Sequence, residues 1–209
     1  MAITYQFNKT SLQGLEKDLK MRQRTLPTLQ SKETALRLEV KRAKDELKAL
    51  DDEVNRRIRD YDQMLALWGE FDTQLIHVDD VKMSIRKIAG VRVPVLDEVV
   101  YSTKPFSLFS APKWFADGFE QVKAIADVGI RQEFVRRKVD LLEYARKKTT
   151  QKVNLFEKVQ IPGYQDAIRK IKRFMEDEEN LSKSSQKIVK GKREREAQQA
   201  EKERKEVAV

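Results

Sequence analysis

The sequence predicts an all-α dominated fold: a long antiparallel two-helix coiled coil made of the N- and C-terminal parts of the chain. A small central insertion, with room for a short β-hairpin, separates the two helices. Three observations lead there. Stepping alternately three and four residues from Leu12 visits seventeen positions up to Trp68, and fourteen are apolar once Ala43, Tyr61 and Trp68 are included. A repeat of 3.5 residues held over that length marks a helix whose seam faces another helix. Val135, Val139, Leu142, Thr149, Val153 and Phe156 keep the same step in the second half, with Arg146 interrupting it. Finally, 37% of the 209 residues are charged and there are only 7 Gly and 5 Pro, which suits long helices with wet outer faces better than a turn-rich sheet.

The first segment opens with Thr10 and Gln13 spaced as a capping box, immediately before the periodic run begins at Leu12. Met1 to Lys9 reads as an extended lead-in. Gly14 and Pro27 fall inside the helix, yet Leu26 and Leu29 flank the proline in phase. Pro27 is therefore read as a kink; the alternative is a helix that starts near Thr28. The seam is broken by Arg22, Glu33 and Arg57. A helix from Thr10 to Trp68 would span about 90 Å.

From Gly69 the heptad fades. Val78 to Ile88 reads as a short helix, and Val91, Val93 and Val95 alternate as a strand that Pro94 would confine to an edge. Val99 to Tyr101 would be its returning partner. Phe106, Leu108, Phe109, Trp114 and Phe115 then load a short loop with aromatic and apolar side chains, part for packing and part as a contact surface. Asp117 and Glu120 offer a second capping box, and the C-terminal helix follows. At Ile161-Pro162-Gly163 its phase slips by one residue, after which Ala167, Ile171, Phe174, Leu181 and Ile188 carry the register. Pro followed by Gly should bend or locally open the helix. Beyond Ile188 apolar positions vanish and helicity should be weak without support.

These shifts divide the chain into an N-terminal coiled-coil helix (1–68), a central globular insertion (69–116) and a C-terminal helix with a basic tail (117–209). An antiparallel hairpin that pairs Trp68 with Gly118 brings Leu12 opposite about residue 174. The insertion then caps one end of a rod, and the C-terminal residues overhang the other.

Little in the chain speaks for chemistry. It has no Cys, so disulfides and thiolate metal sites are excluded. The glycines are never closer than eleven residues, which rules out a phosphate-cradling loop or dinucleotide fingerprint. His77 stands alone, and Asp51-Asp52 and Asp79-Asp80 sit among abundant solvated charges. No cofactor and no catalytic residue is expected. The net charge of +9 arises from 43 basic and 34 acidic residues, an excess spread over a highly charged surface. No apolar run is long enough to span a membrane, and the N-terminus lacks a secretory signal.

Several stretches are similar to the D subunit of the V-type and A-type rotary ATPases. Asn8-Lys9-Thr10-Ser11-Leu12, Leu15, Leu19, Leu29-Gln30-Ser31-Lys32 and Leu36 resemble that family's opening. Ile88-Ala89-Gly90-Val91-Arg92-Val93-Pro94-Val95 resembles its central segment. Thr149-Thr150-Gln151-Lys152-Val153-Asn154-Leu155-Phe156-Glu157, then Ile161-Pro162 and Ile168-Arg169-Lys170-Ile171, resemble its C-terminal helix. Pro27, Phe156 and the aromatic stretch from Phe106 to Phe115 depart from the family pattern.

The resemblance implies a non-catalytic central rotor shaft on the cytoplasmic side of a membrane, reached only through the complex. Its expected partners are a ring of A and B subunits, a small F subunit, and a cap subunit linking to the membrane rotor ring. No direct nucleotide and no nucleic acid is implied. The expected partner contacts are Lys183, Lys187, Lys190, Lys192 and Arg193 at the basic tip, with Phe106, Phe109 and Trp114 in the insertion. Two other classes fit the bare pattern: a homodimeric coiled-coil scaffold or tether, and a nucleic-acid-binding coiled coil. Glu194, Glu196, Glu201 and Glu203, interspersed in the basic tail, argue against the latter.

Overall fold

The computed structural model describes residues 3–62, 76–104 and 114–206. Their element order is helix α1 (Lys9–Asp62), strands β1 (Ile76–Ile88) and β2 (Val91–Thr103), helix α2 (Phe115–Leu155), a π-helical turn (Phe156–Gln160) and helix α3 (Ile161–Glu206). The chain divides into two compact units, Thr28–Lys152 and Met1–Pro27 with Val153–Val209.

The heptad reading of α1 holds position by position. From Leu12 to Arg57 all fourteen seam positions are buried or half-buried, including the polar Arg22, Glu33 and Arg57. Pro27 lies inside α1, which continues through it. The start of α1 differs from the expected capping box. Asn8 is the cap: its side-chain oxygen accepts the Ser11 backbone N–H at 2.7 Å. Thr10 already lies in the helix. From just outside the helix, the Asn8 side chain reaches an amide of the first turn that has no partner within it.

Within Thr28–Lys152, α1 and α2 run antiparallel. Glu33 accepts from Thr150 at 3.0 Å, Lys44 meets Glu143 at 2.5 Å, Lys138 meets Glu46 at 2.8 Å, and Gln132 bonds Asp51. Partner numbers fall as α1 numbers rise. Leu36, Val40 and Ala43 pack with Val139 and Leu142, and a second cluster joins Leu50 to Val128 and Val135. The first cluster also takes in Val93 of β2, with Ile88, Ala89 and Val91 against it. The β-hairpin therefore lies along the flank of the helix pair, where an end cap was expected.

The hairpin pairs different residues from those the sequence suggested. Val78 to Ile88, read as a short helix, is part of β1, and Val99 to Tyr101 belongs to the same strand as Val91 to Val95. The two strands are antiparallel, with Ile85 opposite Pro94 and irregularities between Val78/Asp80 and Lys82/Met83. Pro94 is tolerated because both strands of a two-stranded sheet are edges. The strands turn through Ala89 and Gly90 at φ 48° and 81°, as a two-residue hairpin turn of the primed type requires.

Within Met1–Pro27 with Val153–Val209, Leu15 packs against Ala167, Ile168 and Ile171, joined by Ile3, Tyr5, Leu12, Leu19, Tyr164 and Met175. Glu16 meets Lys172 at 2.8 Å, and Leu12 lines a groove with Lys172 and Met175. This matches the expected partner at about 174 within a residue. Phe7 packs on Phe174 at 4.8 Å between ring centroids. Two expectations fail here. Leu181 and Ile188 lie off the seam at 69% and 64% exposure, and the tail is helical to Glu206. Its helix-forming composition favours that conformation, while the exposed Glu179–Lys183 and Lys190–Glu194 pairs add little, so the tail is a marginal helix by itself. Helix α2 also begins at Phe115, two residues ahead of Asp117, which falls in its first turn.

Two adjacent leucines test the seam. Leu142 is fully buried and Leu141 is 41% exposed. Leu142→Ala should cost about 2–5 kcal/mol and Leu141→Ala less than about 1 kcal/mol, read as shifts in the urea midpoint. Equal shifts would mean that the seam has been misplaced. A second expectation concerns Ala89, a non-glycine residue at positive φ. Ala89→Asn should raise the thermal midpoint, worth up to about 1 kcal/mol, since Asn-Gly suits that turn.

Candidate functional site

The five cations named from the sequence all project from α3 and are exposed. They form no single pocket. Lys183 pairs with Glu179 at 2.7 Å, and Lys190 lies 3.9 Å from Glu194. Lys187 and Lys192 flank Ile188 in a shallow groove with Gly191 and Arg195, and Lys190 and Arg193 flank Val189. From Glu176 to Gln198 every side chain is exposed apart from the half-buried position at Gly191. The surface is thus an apolar pair, Ile188 and Val189, hemmed by cations. Charge alone pointed to the cations; the apolar pair was obscured because Ile188 fits a heptad on paper.

Trp114 precedes α2, its ring 4.9 Å from that of Phe115. Phe106 and Phe109 lie outside the described residues, as do Pro105, Pro112 and Trp68.

The hairpin carries a second surface that sequence reasoning missed. Met83 and Ile85 are 64% and 71% exposed, and their cross-strand partners are Leu96 and Pro94. Side chains two apart on a strand share a face, so these four form an apolar strip on the side away from Val93. Lys87 and Arg92, a cross-strand pair, put positive charge beside its turn end. The alternation of Val81, Met83 and Ile85 is the sequence signal for it, though the same stretch also fits a helical spacing.

The hairpin is fastened at its open end. The Tyr101 hydroxyl donates to Asp127 Oδ1 at 2.6 Å, and Lys123 Nζ sits 5.2 Å from the Tyr101 ring centroid. Burial, and then the Asp127 carboxylate, pushes the Tyr101 phenol up from its ordinary value of 10.0. At the exposed rim, the hydrogen bond and charge of Lys82 hold the Glu98 carboxyl down, with the two side chains 2.7 Å apart.

Among the described residues, the remaining titratable groups do not converge on a reaction centre. His77 is exposed on β1, Asp79 accepts from the Ser102 hydroxyl at 2.7 Å, and Asp80 accepts from the Val81 amide at 2.8 Å. Among the described residues, no group of three or more His, Cys, Asp or Glu side chains is placed to hold a metal ion, and no helix is long and apolar enough to cross a membrane.

These features define a class first: an antiparallel two-helix coiled coil with a β-hairpin on its flank and exposed apolar side chains along one helix and one strand. Comparison with known proteins then makes it particular. The family model for the D subunit of ATP synthase matches residues 11–191. The V-type ATP synthase D subunit of Borreliella burgdorferi is 30% identical over 185 residues, which is 87% of this chain and 91% of that protein. That of Chlamydia trachomatis is 28% identical over 197 residues, 92% and 97% of the two chains. The Chlamydia felis protein of the same name is 29% identical over 157 residues, 73% and 76%. The chain belongs to the ATP synthase D-subunit family.

Tyr101 gives a pH-dependent expectation. The folded chain holds the phenolic proton more tightly than the unfolded chain, so the contact contributes fully below about pH 10 and is lost as pH rises above it. Tyr101→Phe should cost about 1 kcal/mol at pH 8. The gap to the wild type should narrow in thermal melts above about pH 10. A gap that widens there would contradict the assignment.

Proposed function

We propose that this chain is the central-stalk rotor shaft of a V/A-type rotary ATPase. It couples ATP hydrolysis or synthesis in a ring of alternating catalytic A and non-catalytic B subunits to ion translocation across the membrane. It holds no nucleotide itself. It is a peripheral component on the cytoplasmic side, connected to the membrane only through its partners.

Membership of the D-subunit family supports this reading, and one observation carries it further. Helix α3 stays helical for some thirty residues past Met175, yet from Glu176 to Gln198 it is exposed on nearly every side. A charged helix of that kind is marginal in water and draws its stability from what surrounds it. The bore of a ring of A and B subunits is such a surrounding. There Lys183, Lys187, Lys190, Lys192 and Arg193 act as a bearing surface, with Ile188 and Val189 as apolar contacts. The insertion, with Phe106, Phe109, Trp114 and the exposed strip of the hairpin, meets the F subunit and the cap subunit. Rotation of an asymmetric, stiff coiled coil presents a different face to each catalytic interface in turn. Nucleotide affinities then change in sequence without a nucleotide site in the shaft.

Deletion of residues 183–209 in the assembled complex should reduce ATP-driven ion pumping in vesicles more than it reduces ATP hydrolysis. Full coupled pumping by the truncated complex would sink the bearing role. Purification of the tagged full-length chain from native membranes should bring down A and B subunits with one copy of this chain. A homodimer without them would refute the shaft itself.

A further inference from the structure

The buried stripes before and after the π turn do not belong to one helical phase. Counting in sevens from Val139 gives Arg146, Val153, Gln160, Ala167, Phe174, Leu181 and Ile188, the stripe an uninterrupted helix keeps on one face. Val153 is buried on that stripe just before the turn. After it, the side chains packed with Leu12, Leu15 and Leu19 of α1 are Tyr164, Ile168, Ile171 and Met175, one position further along. Ala167 is buried with them, while Phe174, Leu181 and Ile188 are 44%, 69% and 64% exposed. Helix α3 thus carries two apolar stripes separated by one residue, about 100° of helical rotation.

The cause of the turn is local. Pro162 has no amide hydrogen, and in an α-helix its ring would press on the Lys158 carbonyl four residues back. The wider turn relieves that contact, and Ile161 N–H bonds Phe156 O, five residues back. Arg22 of α1 grips the result from outside. Its Nε donates to Gln160 Oε1 at 2.9 Å, its Nη1 donates to the Asp18 carbonyl at 3.1 Å, and its guanidinium lies 4.3 Å from the Tyr164 ring centroid. Gln160 ends the turn and Tyr164 opens the new stripe, so one side chain holds both.

We propose that the π turn is a one-residue phase selector for α3. Pro162 creates it, Arg22 holds it, and together they determine which apolar stripe faces α1 and which way the Phe174–Leu181–Ile188 stripe points. Over the stretch packed on α1 the selected phase presents Tyr164, Ile168, Ile171 and Met175, whereas the unshifted phase would present Gly163, Ala167, Lys170 and Phe174, so the turn brings the more apolar face to α1.

The chain has no Cys, which makes cross-linking clean. In the otherwise unaltered full chain, oxidation should link Leu12→Cys with Met175→Cys and should not link Leu12→Cys with Phe174→Cys. Combining Pro162→Ala with Arg22→Ala, which keeps the chain length, should make the second link appear. Deleting Val159 removes the extra residue itself, so an uninterrupted helix then carries Met175 on the seam, and the first link should remain while the second stays absent. Loss of the first link, or gain of the second, in a folded Val159 deletion would overturn the proposal. If that deletion loses its helical circular dichroism, the Pro162→Ala, Arg22→Ala protein decides: the Phe174 link supports the selector, and its absence refutes it.

Discussion

Everything else in this chain depends on a narrow apolar seam shared by helices that are otherwise among the most polar surfaces a protein can present. With 37% charged residues, neither α1 nor α2 could hold its length alone in water. What they share is a strip one or two side chains wide, completely closed at Leu36 and Leu142, and the seam of α1 with α3 is closed likewise at Ile171. Such a strip is permissive about register, because sliding by seven residues returns leucines to leucines. The polar interruptions remove that freedom. Glu33 sits against Thr150, and Arg22 against Gln160 and Tyr164. A shifted register would take Gln160 and the Tyr164 ring away from the Arg22 guanidinium and leave it only its own helix's Asp18, a loss that leucine repacking does not restore. Apparent flaws in the heptad are what make its pairing specific.

That logic also explains which parts were legible in advance. A helical seam is a local pattern: each residue's face follows from its position in the repeat, so Leu15, Val40 and Leu142 could be assigned without knowing the partner. The hairpin obeys no such rule. Val78 to Ile88 holds apolar residues at spacings that suit a helix or a strand, and the contact that decides is Val93 buried among Leu36, Val40 and Leu142. That contact joins three stretches far apart in the chain. The phase slip was visible in the residues, but its site was not. The residue that fails to bond is Pro162, and the turn that yields lies before it, at Phe156–Gln160. At the basic tip, exposed lysines announce themselves by charge. The exposure of Ile188 beside them follows from where α1 begins, which the heptad alone does not reveal.

The family and the fold constrain function from different directions. Relatives in the D-subunit family align over most of the chain, so the similarity takes in both helical parts and the stretch between them. The proposed shaft role asks for two properties that usually conflict: stiffness along the helices, and surfaces soft enough to engage changing partners. In this chain they are segregated. Closed packing and cross-helix ion pairs such as Lys44–Glu143 and Lys138–Glu46 occur where two helices meet. Exposed apolar side chains ringed by charge occur where α3 has run past Leu12 and where β1 turns outward.

Segregation of that kind needs a joint, and the π turn is placed where one would be useful. A coiled coil normally locks the outward faces of its helices to its seam, since both follow from a single repeat. Inserting one residue breaks the lock. Downstream of Gln160 the seam is rebuilt from Ile168, Ile171 and Met175, while the older phase survives as Phe174, Leu181 and Ile188 on the outside. The orientation of the exposed stripe then becomes a quantity set by Pro162 and Arg22, independent of how the leucines of α1 are spaced. A shaft that must present a defined face to its surroundings gains an adjustment that costs one widened turn and leaves the rest of the seam intact.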